Sequence, residues 1–302
     1  MTGTAQNRGF RKLLVPLDGT GEAAVALPLA RTLARATGGE ILLVRVLSAL
    51  RSGAHSGDWA AAQENLASIA RELGQSELRV ASLVRVGGAP AEEIVREVER
   101  QGADLVVMAT HGRVGLERVV LGGVAERVVA TSSVPVALLR PGGHRVTRLT
   151  RLLVPLDGSP GGALALGVAA PLARQTGAQV HLLQVAVPLP ADVKAQLTLA
   201  EATGDELPWD EELLSSAQAY VGRLAARLQR AGLAAEGHAV MGHISETIVG
   251  TADEVEADLI VMSTHALRGP ARTVLGSITD EVVRSARRPV LIVPRRERGA
   301  PR

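Results

Sequence analysis

The chain has no cysteine, and only two of its 302 residues, Lys12 and Lys194, are lysine. Without cysteine there is neither a disulfide framework nor a thiolate nucleophile or ligand, a usage that fits a reducing compartment. Aromatic residues make up 1% of the sequence, so the interior has to be aliphatic and the rings on which nucleic-acid bases stack are scarce. Charge of one sign is lacking too: 33 Lys and Arg face 31 Asp and Glu, for a net charge of +2. That is no footprint for a nucleic-acid binder, and the arginines read as solvated surface. The longest apolar run, around Ala163 to Ala173, is too short to cross a bilayer. The opening MTGTAQNRGFRK lacks the apolar centre of a secretion signal. These absences predict a cytoplasmic protein with neither nucleic acid nor membrane as partner. A GxxxxGK[ST] phosphate loop is also missing.

What the chain does have is one unit written twice. RKLLVPLDGTG at 11–21 returns as RLLVPLDGSPG at 151–161, DLVVMATHG at 104–112 as DLIVMSTHA at 258–266, and VPVALL at 134–139 as RPVLIV at 288–293. Asp18 and Asp157 are 139 positions apart and Asp104 and Asp258 are 154 apart, which places 15 extra residues in the second copy, between Val185 and Gly242. In the first copy LLVPL, EILLVRV, LRVASLVRV, LVVMA and VPVALL read as buried strands. EAAVALPLARTLARA, PAEEIVREVERQG and AERVVATSS read as helices, with Gly38 and Gly102 as stops. Pro28 and Pro171 fall inside the first helix of their copies and predict a kink or a late start.

This alternation predicts an α/β fold of two repeated Rossmann-like domains, each an open five-stranded parallel sheet with helices on both faces. The predicted divisions are a first domain over 1–142, a linker over 143–150, a second domain over 151–296 with its insertion within 186–241, and a tail over 297–302. The insertion carries Asp205, Glu206, Trp209, Asp210, Glu211 and Glu212, read as a solvated acidic face outside the second sheet.

Ligands of open parallel sheets bind beyond the carboxyl ends of the strands, where strand order reverses. Two turns per copy answer to that description. The first copy offers Asp18-Gly19-Thr20 and the loop from Ala109 to Gly112, which leads on to Gly122-Gly123 at a helix start. The second offers Asp157-Gly158-Ser159 and Ser263 to Ala266, leading to Gly276-Ser277. Small residues at a helix N-terminus let a phosphate approach the exposed N–H groups. Each feature also has a plainer reading. Asp18 and Asp157 can cap their own turns, and Gly122 and Gly276 can serve close packing. His111 and His265 stand without a second ligand at metal-binding spacing and read as structural, so no metal site is predicted.

With VPLDG, VRVGGAPAEEI, the two strand-four loops and the final strand on the page, nearly the whole chain resembles the universal stress protein family in its tandem form, a Rossmann-like fold of the HUP type. Nucleotide-binding members of that family carry Gly, two residues, Gly, nine residues, then Gly-Ser or Gly-Thr. Here the pattern reads Ala109, Gly112, Gly122-Gly123 in the first copy and Ser263, Ala266, Gly276-Ser277 in the second. The resemblance implies a stress-response module that binds ATP, with Mg2+ accompanying the phosphates. It puts adenine near Asp18 and Val46 in a nucleotide pocket that Pro16 shapes and Met108 joins, and the ribose and phosphates near Ala109 and Gly112, with Arg113 available to the phosphates. Gly122, Gly123 and Val124 would hold the phosphate tail. The matching positions of the second copy are Pro155, Asp157, Val185, Met262, Ser263, Ala266, Gly276, Ser277 and Ile278. Ala266 adds a methyl where the family has Gly, so the first site is expected to be the more intact. The resemblance further implies a pseudo-dimer of the two domains through their fifth strands, and allows a further homodimer. A scaffold that binds no nucleotide and a slow ATPase are the alternative readings; no nucleophile-and-base set supports dedicated catalysis.

Overall fold

The computed structural model describes residues 9–48, 56–75, 77–110, 121–159, 162–190, 192–193, 209–264 and 276–295. His111, Gly112, Arg113, His265, Ala266 and the tail lie outside them, as do residues 191 and 194–208 within the range of the predicted insertion.

In the first repeat β1 (Lys12–Pro16), β2 (Glu40–Ser48), β3 (Val80–Gly87), β4 (Leu105–Ala109) and β5 (Val136–Leu139) alternate with α1 (Gly21–Ala24), α2 (Ala26–Thr37), α3 (Ser56–Gly74), α4 (Pro90–Gln101) and α5 (Gly123–Thr131). The second repeat has β6 (Arg151–Pro155), α6 (Gly162–Thr176), β7 (Gln179–Ala186), α7 (Trp209–Arg230), β8 (Ala235–Met241), α8 (Ile244–Glu254), β9 (Leu259–Thr264), α9 (Ser277–Ser285) and β10 (Val290–Pro294). The strands form one ten-stranded sheet in the order β3-β2-β1-β4-β5-β10-β9-β6-β7-β8. Pairing is parallel within each repeat and antiparallel where β5 meets β10, with Leu291 opposite Ala137. Each repeat therefore has the order 3-2-1-4-5, reversing between its first and fourth strands.

The central strands β1, β4, β5, β6, β9 and β10 are largely apolar on both faces because both faces are covered. In β1, Leu13 and Val15 join the core beneath α2, α3, α6 and α7, whereas Leu14 joins the core beneath α4, α5, α8 and α9. Both cores draw side chains from both repeats.

The kink or late start expected at the two helix prolines is met in the first repeat, where the helix breaks at Val25, between α1 and α2. Pro28 has no N–H to give the carbonyl of Ala24, four residues back, so the ladder is cut there. In the second repeat, α6 runs through Pro171 without a break. The sequence reading assigned no helix between the second and third strands of either copy, yet α3 and α7 stand there. Their buried stripes, Ala62, Leu66 and Leu73 in α3 and Ala217, Val221, Ala225 and Leu228 in α7, follow helical spacing. Asp210, Glu211 and Glu212 form the first turn of α7 and are not part of an irregular excursion; carboxylates there meet the positive end of the helix dipole. The linker is also better packed than its composition suggests, with Val146 and Leu149 buried and His144 N–H donating to Arg287 O at 2.7 Å.

The Asp of each DLVVM/DLIVM motif has a structural task. Asp104 accepts the N–H groups of Arg11 and Lys12 at 2.8 and 3.1 Å, and Asp258 accepts those of Thr150 and Arg151 at 2.6 and 3.0 Å. Each ties the start of a central strand to its neighbour.

Helix α4 is pinned to β3 by Glu97, whose side chain is fully buried. It accepts from Arg85 Nε and Nη2 at 2.8 and 3.2 Å, from Arg100 at 3.0 Å and from Gln101 at 3.1 Å. Burial pushes this carboxyl up, but the hydrogen bonds from Arg85, Arg100 and Gln101 outweigh it and hold the pKa below the ordinary 4.5. A carboxyl with a depressed folded-state pKa stabilises fully above its unfolded pKa, and that contribution fades as pH falls through the folded value. Glu97→Gln should therefore flatten the acid limb of stability below about pH 4.5, measured by denaturant titration at several pH values. At pH 7 its cost should be about 1–3 kcal/mol, because the two arginines stay partly exposed and can turn to water. An unchanged acid limb would remove Glu97 from this role.

Candidate functional site

The switch point of the first repeat opens into a cleft of about 370 Å³. Its floor is the carboxyl ends of the strands: Pro16, Leu17 and Asp18 after β1, Val44 and Val46 from β2, and Met108 and Ala109 from β4. Pro90 and Ile94 of α4 form one side. Gly122, Gly123 and Val124, at the start of α5, form another. Eight predicted positions, Pro16, Asp18, Val46, Met108, Ala109, Gly122, Gly123 and Val124, are thus brought together around one space. Gly112 and Arg113 lie outside the described residues.

The walls have two chemistries. Val44, Val46, Ile94 and Met108 make an apolar slot of the kind that accepts a flat ring system. Opposite stands the N-terminus of α5, whose N-cap Gly122 offers no side-chain hydrogen bond to the helix. The first N–H groups of a helix have no partner within it, and the N-cap residue here has no side chain to cover them. A Cβ on Gly123 would meet nothing within 4 Å, so the space above this helix start is open.

Asp18 organises its own turn. Its Oδ1 accepts Thr20 N–H at 2.9 Å and Thr20 Oγ1 at 2.6 Å, while Thr20 Oγ1 accepts Ala23 N–H at 3.2 Å and so caps α1. Gly19 between them has φ +87°, a left-handed conformation that suits glycine. The turn-capping reading of Asp18 thus holds alongside its place in the cleft. A residue that the sequence reading missed sits on this turn. The guanidinium of Arg45 lies where a Cβ on Gly19 would be, with Nη1 2.0 Å from that point. Its neighbour in sequence, Val46, faces the cleft, but successive strand residues point to opposite faces, so no local signal marks Arg45.

The second repeat has a smaller cleft of about 280 Å³. Pro155, Leu156 and Asp157, Leu183 and Val185, Met262 and Ser263, and Ile278 and Thr279 line it, together with Gly162, Ile244 and Ile248. Asp157 Oδ1 accepts Ser159 N–H at 2.9 Å, as in the first repeat. Of the predicted positions, Pro155, Asp157, Val185, Met262, Ser263 and Ile278 meet around this space. Gly276 and Ser277 stand at the start of α9 but are not among the described lining residues. Ile244 takes the place that Pro90 has in the first cleft, and Gln184 takes that of Arg45.

Among the described residues no helix is long and apolar enough to cross a membrane.

Comparison with known proteins agrees with this architecture. Universal stress protein MJ0531 of Methanocaldococcus jannaschii is 31% identical over 144 residues, covering 43% of this chain and 82% of its own length. Universal stress protein YxiE of Bacillus subtilis is 26% identical over 147 residues and is covered over 99% of its length. The crystal structure of a universal stress protein from Archaeoglobus fulgidus superposes with a TM-score of 0.72 over 95% of this chain and 97% of that one, at 20% identity, a likeness of fold. The profile of the Universal stress protein family matches twice, over residues 9–140 and 149–294, and the chain is a tandem member of that family.

Proposed function

We propose that the protein is a nucleotide-binding module that holds ATP in the cleft of its first repeat and signals through that occupancy. The observation that supports this most is the pairing, in one 370 Å³ space, of an apolar slot with an uncapped helix N-terminus. A volume of this size is within the roughly 300–1,000 Å³ range of small-ligand sites. In this reading Val46 and Met108 contact adenine, Pro16 and Asp18 shape the slot, and Ala109 borders the ribose. The N–H groups of Gly123 and Val124 receive the phosphates, with Gly122 leaving them uncovered, while Gly112 and Arg113 would complete the phosphate side and Mg2+ would accompany the phosphates. Among the described lining residues Asp18 has the only ionisable side chain, which favours holding a ligand over turning it over. The two units, 1–142 and 151–296, then act as an intramolecular pair, with the second cleft (Pro155, Asp157, Val185, Met262, Ser263, Ala266, Gly276, Ser277, Ile278) as the weaker site.

Arg45 gives the test a residue of its own. Among the described residues it forms no ion pair, and its charge beside the Asp18 turn favours an anionic ligand at the first cleft. Calorimetric titration with ATP and Mg2+ should show one dominant site per chain. Arg45→Gln, which installs the residue of the second repeat, should weaken that site about 10-fold, near 1.4 kcal/mol. Mass spectrometry of small molecules released from freshly purified protein should find an adenine nucleotide. No heat and no released nucleotide from folded protein would favour the scaffold reading.

A further inference from the structure

A cluster on β7 and β8, none of whose residues is among the described lining of either cleft, is absent from the proposed nucleotide chemistry. His181 is the third residue of β7, and Glu236 and His238 are on the edge strand β8, where register places Glu236 opposite His181 and His238 opposite Leu183. Strand alternation puts all three on the face covered by α8, the one to which Leu183 contributes core. His181 Nδ1 and His238 Nε2 are 3.0 Å apart, and a Glu236 carboxylate oxygen is 3.9 Å from His181 Nδ1. The ring centres are 5.2 Å apart with planes inclined by 25°, so the two closer nitrogens lie between the rings, head to head. From these residues we propose that His181, Glu236 and His238 form a binding site for one first-row transition-metal dication of the zinc type.

Four observations support this assignment. One candidate ligand atom from each of the three residues falls within 4.8 Å of the others. A tetrahedral zinc with Zn–N near 2.0–2.1 Å holds its nitrogens roughly 3.3 Å apart, so the facing nitrogens need to part by a few tenths of an ångström and each ring to turn by roughly 35° to aim its lone pair at the metal. Two imidazoles and a carboxylate suit zinc, nickel or copper better than magnesium or calcium, and three protein ligands leave a fourth position for water on the solvent side. Glu236 can turn to close the site because its side chain is 57% exposed.

The third observation concerns His181 itself, which is 95% buried and has no hydrogen-bond partner at Nε2. The 3.0 Å contact with His238 places a proton on one of the two facing nitrogens; for both to ligate a metal it must leave that position, with His181 carrying its proton on Nε2. Arg151, whose charge bears on His181, is paired with Glu256 at 2.6 Å.

The fourth comes from the duplication, which supplies an internal control. By strand register the first repeat has Leu42, Ala81 and Leu83 at the three positions, and Leu42 and Leu83 belong to its apolar core. The fold therefore accepts apolar residues there, and only the second repeat carries ligands. None of the three residues is among the described lining residues of the second cleft, although Leu183, opposite His238, is, so the two sites are neighbours on β7.

The test uses the full chain without a histidine tag, stripped by chelator and titrated with zinc against a chromophoric competitor. The expected result is one zinc per chain, bound at least about 100-fold more tightly than by the triple variant His181→Leu, Glu236→Ala, His238→Leu, a loss at or beyond the upper end of what removal of a supporting residue alone gives. Cobalt should give the intense visible bands of a four-coordinate site in the parent and not in the variant. The triple variant reproduces the first repeat's residues and should keep its circular dichroism; if it does not fold, Glu236→Ala and His238→Gln singly should each weaken zinc about 10-fold or more. Equal affinity in parent and variants would overturn the site. One zinc per two chains, with dimer formation, would overturn a site complete within a single chain.

Discussion

Gly122→Val should abolish ATP binding while leaving the protein folded. Gly122 has φ −63° and ψ 141°, an extended conformation open to any L-residue, so the substitution introduces no backbone strain. As an N-cap, glycine here contributes no side-chain bond, and its replacement by valine should cost the helix about 1 kcal/mol. The effect on the ligand is of another order. A branched side chain at the start of α5 would stand where, in the proposed function, phosphate oxygens approach the N–H groups of Gly123 and Val124. Loss of that approach should weaken binding by about 100-fold or more, roughly 2.7 kcal/mol. Ser277→Ala in the second repeat should change the total heat little, because Ser277 is not among the described lining residues of what is proposed as the weaker site and at most one hydroxyl hydrogen bond, about 1 kcal/mol, is lost. Calorimetry with ATP and Mg2+, alongside thermal melts of both variants, separates the outcomes. Equal loss in both would make the two clefts equivalent. Unchanged binding in folded Gly122→Val would remove the α5 N-terminus from the site.

The fold was legible where local chemistry repeats. VPLDG written twice announces a buried strand ending in a turn, and Gly19 and Gly158 both adopt the positive φ that an Asp-Gly turn suggests. Helix α4 begins at Pro90 and ends against Gly102 in the left-handed conformation, as its sequence announces. Helix α3 was less legible because DWAAAQENLASIARELG has a thin apolar stripe amid charge, and alanine reports burial weakly. The break before Pro28 and its absence around Pro171 are not legible in local sequence, since both prolines sit in Ala/Leu-rich runs.

The candidate site was legible by halves. The residues on strand ends and helix starts converge because the order 3-2-1-4-5 brings β1 beside β4, and that order is implied by right-handed crossovers. Arg45 was not legible, because only the parallel pairing of β1 with β2 lays its guanidinium over Gly19. The His181 cluster was still less so. Its two histidines are 57 residues apart in sequence, across the least alike part of the repeats, and meet only through the β7–β8 register. A one-residue slip would send Glu236 and His238 to the opposite face.

The other large effect concerns the junction of the repeats. Leu291 of β10 and Ala137 of β5 face each other across the antiparallel pair, and both are fully buried. They belong to a core that holds Leu13 and Leu29 of the first repeat together with Leu152 and Leu172 of the second. Leu291→Asp would remove a large apolar side chain, at about 2–5 kcal/mol, and leave a carboxylate without a partner in the same place. The sum approaches the whole stability of a typical domain, about 5–15 kcal/mol, so the variant should be largely unfolded at 37 °C. Because the core is shared, both repeats should be lost together: calorimetry should show one transition in the parent and no residual transition at the parent's midpoint in the variant. Val86→Asp on β3, where Val86 is 52% exposed, is the matched control and should shift stability by no more than about 0.5 kcal/mol. A first repeat that still melts at its original temperature in Leu291→Asp would mean that the two repeats fold independently and that the ten-stranded sheet is a contact between separate units.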